Sequence, residues 1–189
     1  MSKTLDTGVR NARNIDRYVF GAGAIEELHV FLNDRRQTTQ DRVIFFVDEY
    51  FQQNPTALRS LPVSSSDTVR YVSTAEEPTT DGIDDLLGRL LAEGCRPCSL
   101  VGIGGGIVLD TTKAISNLIA NGGKAADYQG WDLVPGPGIY KIGIPTLSGT
   151  GAEATRTCVM TNKSTGLKLG MNSDYTVFNQ LILDPQLTI

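Results

Sequence analysis

The stretch VGIGGGIVLDTTKAISNL, residues 101–118, decides how this chain is read. It runs from an apolar segment through Gly104, Gly105 and Gly106 into an amphipathic segment carrying Asp110 and Lys113. A strand that ends in glycines and hands over to a helix aims backbone N–H groups and the positive end of the helix dipole at whatever lies above the strand. Glycine also lets a ligand come close, because no Cβ intervenes. Gly104, Gly105 and Gly106, with Ile107 and Val108 on the first helical turn, are therefore a candidate pyrophosphate cradle. The alternative is a tight turn that binds nothing. The spacing is not the usual dinucleotide fingerprint: counted from Gly102, G-x-G-x-x-G requires a third glycine at position 107, which is isoleucine. No Gly-Lys-Ser/Thr follows, so it is not a P-loop either.

Outward from this stretch the pattern alternates. Residues 98–103 predict a strand and 107–120 a helix that stops at Asn121-Gly122-Gly123. Upstream, Thr79 or Thr80 is placed to cap a helix with apolar positions Ile83, Leu86, Leu87, Leu90 and Leu91, ended by Gly94. Residues 18–20, 42–47 and 68–72 predict strands, and 24–33 and 52–61 predict helices, the latter with Pro55 in its first turn. Downstream lie a turn-rich segment at 124–138 containing Trp131, a strand at 140–144, a hairpin formed by 156–162 and 166–171, and a last strand at 181–183. Strands alternating with helices predict an α/β, Rossmann-like domain: a mostly parallel sheet with flanking helices and a β-hairpin. The length fits one domain over residues 1–189.

Two further features belong with a dinucleotide. Asp48 closes the apolar run RVIFFV, where a carboxylate can accept ribose hydroxyls and would repel a 2'-phosphate, favouring NAD over NADP. An ordinary acid at a strand end is the competing reading. Thr146, Leu147, Ser148, Gly149 and Thr150 form a second small-residue loop after a strand, suited to the other side of the ligand or to a plain connection. Asp110 and Lys113, three apart on one helix face, are either part of the site or a simple surface ion pair.

Composition excludes several classes. The net charge of −4 argues against a broad basic face for nucleic acid. No segment has the roughly 18 consecutive apolar residues of a membrane span, and the first twenty residues lack the apolar core of a signal peptide, so a cytoplasmic location is expected. Three cysteines fit a reducing compartment. Cys95-Arg-Pro-Cys98 has redox or zinc spacing, but it leads into a strand and lacks further ligands, and reads as two thiols at a strand entry. The single histidine, His29, reads as a helix surface residue. One imidazole is too few for a zinc or iron site of the usual kind, and no G-x-S-x-G elbow supports a Ser-His-Asp hydrolase.

The landmarks Phe20-Gly21-Ala22-Gly23, Asp48, Gly104-Gly105-Gly106 with Asp110 and Lys113, and Pro145-Thr146-Leu147-Ser148-Gly149-Thr150-Gly151-Ala152-Glu153 resemble, in order and spacing, the amino-terminal half of the iron-containing (group III) alcohol dehydrogenases. Within that family, Tyr128 to Asp132, Arg156 to Asn162 and Leu167 to Ser173 look most like the 3-deoxy-D-manno-octulosonate (Kdo) 8-oxidases, which oxidise the terminal primary alcohol of a lipopolysaccharide sugar acid to an aldehyde. The resemblance implies that Asp48 faces the adenine ribose and that Gly104, Gly105, Gly106, Ile107 and Val108 cradle the pyrophosphate. It implies that Thr146, Leu147, Ser148, Gly149 and Val159 line the cleft, and that Lys168 approaches the nicotinamide-side ribose. The family's metal, iron or zinc, is held by an aspartate and three histidines of a helical carboxyl-terminal domain that these 189 residues do not include, so no catalytic or metal-binding residue is assigned here.

Two positions depart from the family pattern. Ile107 stands where serine is usual, and Glu77-Pro78 stands where the turn usually reads Asn-Pro, which is expected to place a negative charge near the adenosine side. The implied partners are a nicotinamide dinucleotide, a small alcohol or sugar acid, and either a second copy in a dimer or a carboxyl-terminal half. The resemblance leaves open whether nicotinamide or oxygen is the final acceptor. The alternatives are a non-catalytic nucleotide-binding or interaction module, an NAD-dependent alcohol dehydrogenase for another substrate, and a metal-free reductase using Tyr140 or Tyr175.

Overall fold

The computed structural model describes residues 14–39, 41–94 and 96–188. Six strands form one wholly parallel sheet: β1 (Arg17–Phe20), β2 (Arg42–Asp48), β3 (Thr68–Val72), β4 (Pro97–Gly104), β6 (Lys141–Pro145) and β9 (Gln180–Leu183), in the order β1-β9-β6-β4-β2-β3. The central strands read as unbroken apolar runs because both of their faces are covered. In β2, Ile44 and Phe46 enter the core on one face, while Val43, Phe45 and Val47 enter the core on the other. Each such side chain contributes roughly 1.5–3 kcal/mol through burial.

The first face carries α3 (Thr80–Ala92) and α4 (Gly106–Asn121). The second carries α1 (Leu28–Asn33) and Phe51 of α2 (Tyr50–Gln53). Thr79 caps α3 by accepting the Gly82 N–H at 3.1 Å. Helix α4 lies so close to β4 that a Cβ on Gly102 would meet Thr112 Oγ1 at 2.4 Å. That position must be glycine for the helix to sit where it does.

A second sheet of three strands covers the outer side of α4. Its hairpin strands β7 (Thr157–Asn162) and β8 (Leu167–Asn172) are antiparallel, as expected, and Cys158, Met160 and Met171 pack into the same core as Ile115 and Leu118. The third strand, β5 (Gly130–Trp131), pairs parallel with β8 inside the segment read as turn-rich; Trp131 remains 71% exposed. Thr161 N–H donates to Pro78 O at 2.9 Å, which joins the hairpin to the turn before α3.

Three local expectations are corrected. The helix expected over residues 52–61 is instead the short α2 and a 3-10 turn, Pro55–Leu58, separated at Asn54. Proline has no N–H to continue the helix and drives the preceding residue out of helical geometry, and Asn54 sits at φ −125, ψ 60. The helix expected over 24–33 opens with a 3-10 turn, Ala24–Glu27. Leu91, expected on the buried stripe of α3, is 53% exposed, because Ile83, Leu87 and Leu90 already define the inward face. Cys98 is half-buried, and Cys95 lies outside the described residues. No helix among the described residues is long and apolar enough to cross a membrane.

The far edge of the sheet is assembled from distant parts of the chain. Phe20 of β1 pairs with Leu183 of β9, and Asp184 accepts the N–H groups of Gly23 at 3.2 Å and Ile25 at 3.1 Å.

Candidate dinucleotide site

The strand order places a switch point between β2 and β4. From β2 the chain moves outward to β3, then returns to the other side of β2 as β4 and continues through β6 and β9 in the opposite direction. In open parallel sheets, ligands sit in the crevice outside the carboxyl ends of the strands where the order reverses. Asp48 ends β2 and Gly104 ends β4, and a Cβ on Gly104 would lie 3.2 Å from the Asp48 Cβ.

The glycine stretch is shaped by exclusion. A Cβ on Gly104 would come within 2.6 Å of Val108 Cγ2, and one on Gly105 within 2.7 Å of Leu147 Cδ1. Gly105 is the N-cap of α4 in extended conformation and supplies no capping side chain. The first-turn N–H groups of a helix have no partner within it, so those of α4 are free to point at a ligand. Val108 is fully buried and forms the floor of the turn, while Ile107 is half-buried at its mouth.

Beside this turn lies a cavity of about 350 Å³ lined by Asp48, Tyr50, Phe51, Thr74, Thr146, Leu147, Leu187 and Thr188. Asp48 accepts the Tyr50 N–H at 3.0 Å through Oδ1, which fixes the carboxylate at the cavity wall. Thr146 N–H donates to Gly104 O at 3.1 Å, so the second small-residue loop leaves directly beside the glycines. Thr146 is buried, Leu147 is exposed over Gly105, and Ser148, Gly149 and Thr150 are exposed. The sequence reading had missed Tyr50, Phe51, Thr74, Leu187 and Thr188. Each follows the carboxyl end of β2, β3 or β9 by a few residues, and that adjacency is the only signal that marks them.

Asp110 and Lys113 do not form a surface ion pair. Lys113 is fully buried, and its Nζ donates to the carbonyls of Ala152, Thr155 (2.9 Å) and Thr157 (2.9 Å) and to Thr155 Oγ1 (3.2 Å). Burial pushes its pKa down, against the pull of the Asp110 charge. Asp110 Oδ2 accepts the Val159 N–H at 3.0 Å. Burial pushes its carboxyl above the usual range, against that hydrogen bond and the charge of Lys113. Both side chains thus tie α4 to the segment running from the 146–151 loop into β7. Val159 is half-buried on β7, and Lys168 projects from β8 into an ion pair with Glu77.

No group of three or more His, Cys, Asp or Glu gathers in a metal-binding arrangement among the described residues. His29 is exposed, and its Nδ1 contacts Glu26 O. No metal-dependent step is assigned to these residues.

The family described as iron-containing alcohol dehydrogenase matches this sequence over residues 16–185. The chain belongs to that family. Among its relatives, sulfoacetaldehyde reductase of Bilophila wadsworthia (strain 3_1_6) is 41% identical over 118 residues, covering 62% of this chain and 30% of that protein. NAD-dependent methanol dehydrogenase of Bacillus methanolicus is 27% identical over 174 residues, covering 90% and 44%. A solved structure of sulfoacetaldehyde reductase from Bifidobacterium kashiwanohense in complex with NAD+ superposes with a TM-score of 0.78 at 24% identity, covering 95% of this chain and 47% of that one. The last likeness is one of fold. The chain spans less than half the length of each of these relatives.

Proposed function

We propose that residues 1–189 are a single NAD-binding domain of an iron-containing alcohol dehydrogenase, an oxidoreductase acting on primary alcohols and their aldehydes. The observation that carries this reading is the meeting of Asp48 with the uncapped glycine turn at the switch point, where a Cβ at Gly104 or Gly105 would displace Val108 or Leu147. Asp48 takes the adenosine ribose hydroxyls and disfavours a 2'-phosphate. The backbone of Gly105, Gly106, Ile107 and Val108 takes the diphosphate at the positive end of α4, with Ile107 offering its N–H alone. Thr146 and Leu147 wall the adenosine side, Ser148, Gly149 and Thr150 continue the edge of the cleft, and Val159 and Lys168 border the second nucleoside. Asp110 acts by holding Val159 in place. The nicotinamide, when bound, supplies the hydride acceptor or donor; this chain's residues bind it, orient it and limit its contact with water.

For the substrate, we propose a primary alcohol or aldehyde on a small molecule that also carries an acid group. The likeness of Tyr128 to Asp132, Arg156 to Asn162 and Leu167 to Ser173 to the Kdo 8-oxidases supports a sugar acid. The 41% identical relative, whose name specifies an aldehyde bearing a sulfonate, supports the same chemical class in a smaller molecule.

A second reading has an observation of its own. Phe20 and Leu147, 73% and 57% exposed, border a cavity of about 200 Å³ with Leu183 and Pro185 at the carboxyl ends of β1, β6 and β9. This apolar rim favours a nucleotide-binding module that works by pairing with a metal-bearing partner half.

Calorimetric titration of the 189-residue chain with NAD+ and NADP+ tests the binding reading. NAD+ is expected to bind measurably more tightly, and a folded sample that binds neither sinks it. NADH formation from Kdo, 2-hydroxyethanesulfonate and 1-propanol, after addition of the family's metal-bearing half, tests the substrate class. Equal turnover of propanol and the two acids would remove the acid group from the proposal.

A further inference from the structure

The glycine turn is approached by a second cavity, on the opposite face of the sheet from the one at Asp48. It measures about 340 Å³, and its lining includes Arg70, Glu77, Arg89, Ile107, Thr111 and Lys163, so Glu77, expected near the adenosine side, borders a different cavity from Asp48. Ile83 and Leu86 on its wall belong to the core of α3 and α4, whereas Phe51 at the Asp48 cavity belongs to the core of the other face. The two cavities therefore flank the turn as two nucleosides of a dinucleotide would flank their diphosphate.

At the mouth of this second cavity Lys168 Nζ meets Glu77 Oε1 in an ion pair, with the two side chains 54% and 56% exposed. The backbone builds this meeting. Thr161 N–H bonds to Pro78 O at 2.9 Å, and Lys168 lies directly opposite Thr161 in the hairpin register. Lys168 is therefore delivered beside Glu77 by two sets of main-chain contacts, and a solvent-exposed pair of this kind is weak and exchanges partners readily. Ile107 brings no hydroxyl to the diphosphate, and Lys168, held by an exposed carboxylate, joins Arg70, Arg89 and Lys163 of the lining as a cation within reach of the far half of an anionic ligand.

We propose that Glu77 sets the affinity of this site for a dinucleotide by competing with the ligand for the Lys168 ammonium. Lys168 leaves Glu77 when the ligand enters, and the Glu77 carboxylate, left without its partner, then repels the ligand's phosphates. The site therefore holds the far nucleoside and its phosphate loosely, while the adenosine half at Asp48 is unaffected. This proposal rests on the dinucleotide reading above.

The test is calorimetry on the 189-residue chain, its Glu77→Gln and Lys168→Met variants and the double variant, with NAD+, ADP-ribose and AMP. Glu77→Gln is expected to tighten NAD+ and ADP-ribose by about three- to tenfold at low salt, with the gain shrinking as salt screens the Lys168 charge, and to leave AMP within about twofold. Lys168→Met is expected to weaken NAD+ more in the Glu77→Gln background than in the wild-type chain, because only there is the lysine uncommitted. Unchanged or weaker NAD+ binding by Glu77→Gln overturns the proposal, as does an equal shift for AMP, which would mark a general structural change. Additive effects in the double variant overturn it as well. If the wild-type chain binds none of the three ligands, the dinucleotide reading itself fails and takes this proposal with it.

Discussion

Lys113 carries a charge into a place that water does not reach, and three main-chain carbonyls and a hydroxyl replace its hydration. In the sequence it is only half of an i, i+3 pair with Asp110. Its true partners lie about forty residues downstream, and nothing in the local pattern announces them. Lys113→Met would leave those carbonyls facing an apolar side chain. The variant is expected to lose roughly 2–4 kcal/mol of stability in urea denaturation, since unsatisfied buried acceptors cost about 1–3 kcal/mol each and part of that loss is offset by removal of the buried charge. It should also bind NAD+ more weakly, because the segment from the 146–151 loop into β7 loses its anchor. Full retention of stability would mean that the carbonyls find other donors. Asp48, by contrast, was legible at once, because an acid closing an apolar strand needs no long-range knowledge to be noticed.

At the scale of elements, the glycine turn contains two positions that look alike in sequence and behave differently in space. A methyl group at Gly104 meets Val108, a β-branched residue fixed in the buried floor of α4, and the Asp48 Cβ. A methyl at Gly105 meets only the far end of the exposed Leu147 side chain, which can swing away. Gly104→Ala is therefore expected to cost about 1–3 kcal/mol in denaturant titration, whereas Gly105→Ala should cost less than about 1 kcal/mol. Both should weaken NAD+ in calorimetry: the first by moving the cradle, the second by filling it. Most elements were legible, since apolar strands, the Thr79 cap and the Gly122 stop are local signals. The exceptions have physical causes. Pro55 broke a helix whose apolar pattern invited continuation, and β5 owes its existence to hydrogen bonds with β8, forty residues away, rather than to any pattern of its own.

At the scale of the whole molecule, the core sets a limit on alkaline stability. Cys158 is fully buried between α4 and the hairpin, and desolvation, with a smaller contribution from the Asp110 charge, pushes its thiol from 9.0 up to about 12. The folded chain thus holds this proton more tightly than the unfolded chain does. The stabilisation is complete below about pH 9 and is lost as pH rises toward 12, at up to about 1.4 kcal/mol per pH unit. Urea midpoints across this range should fall more steeply for the wild-type chain than for Cys158→Ala; parallel slopes would show that the thiol does not titrate in this window. The same burial should keep Cys158 unreactive toward thiol reagents at neutral pH until the chain unfolds.

The edge of the main sheet has a further consequence, in the order of events during synthesis. Among the described residues strand β1 pairs with β9 alone, and the carboxylate that fastens the turn after β1 belongs to Asp184, 161 residues beyond Gly23. A ribosome adding about 5–20 residues per second takes on the order of ten seconds to cover that distance. For that interval β1 waits for β9, and the β6 edge stays open to any other strand that reaches it. Of the six strands of this sheet, β9 is made last and joins β1 to β6. Nascent chains halted before residue 180 should therefore depend on holding factors more than the finished domain does.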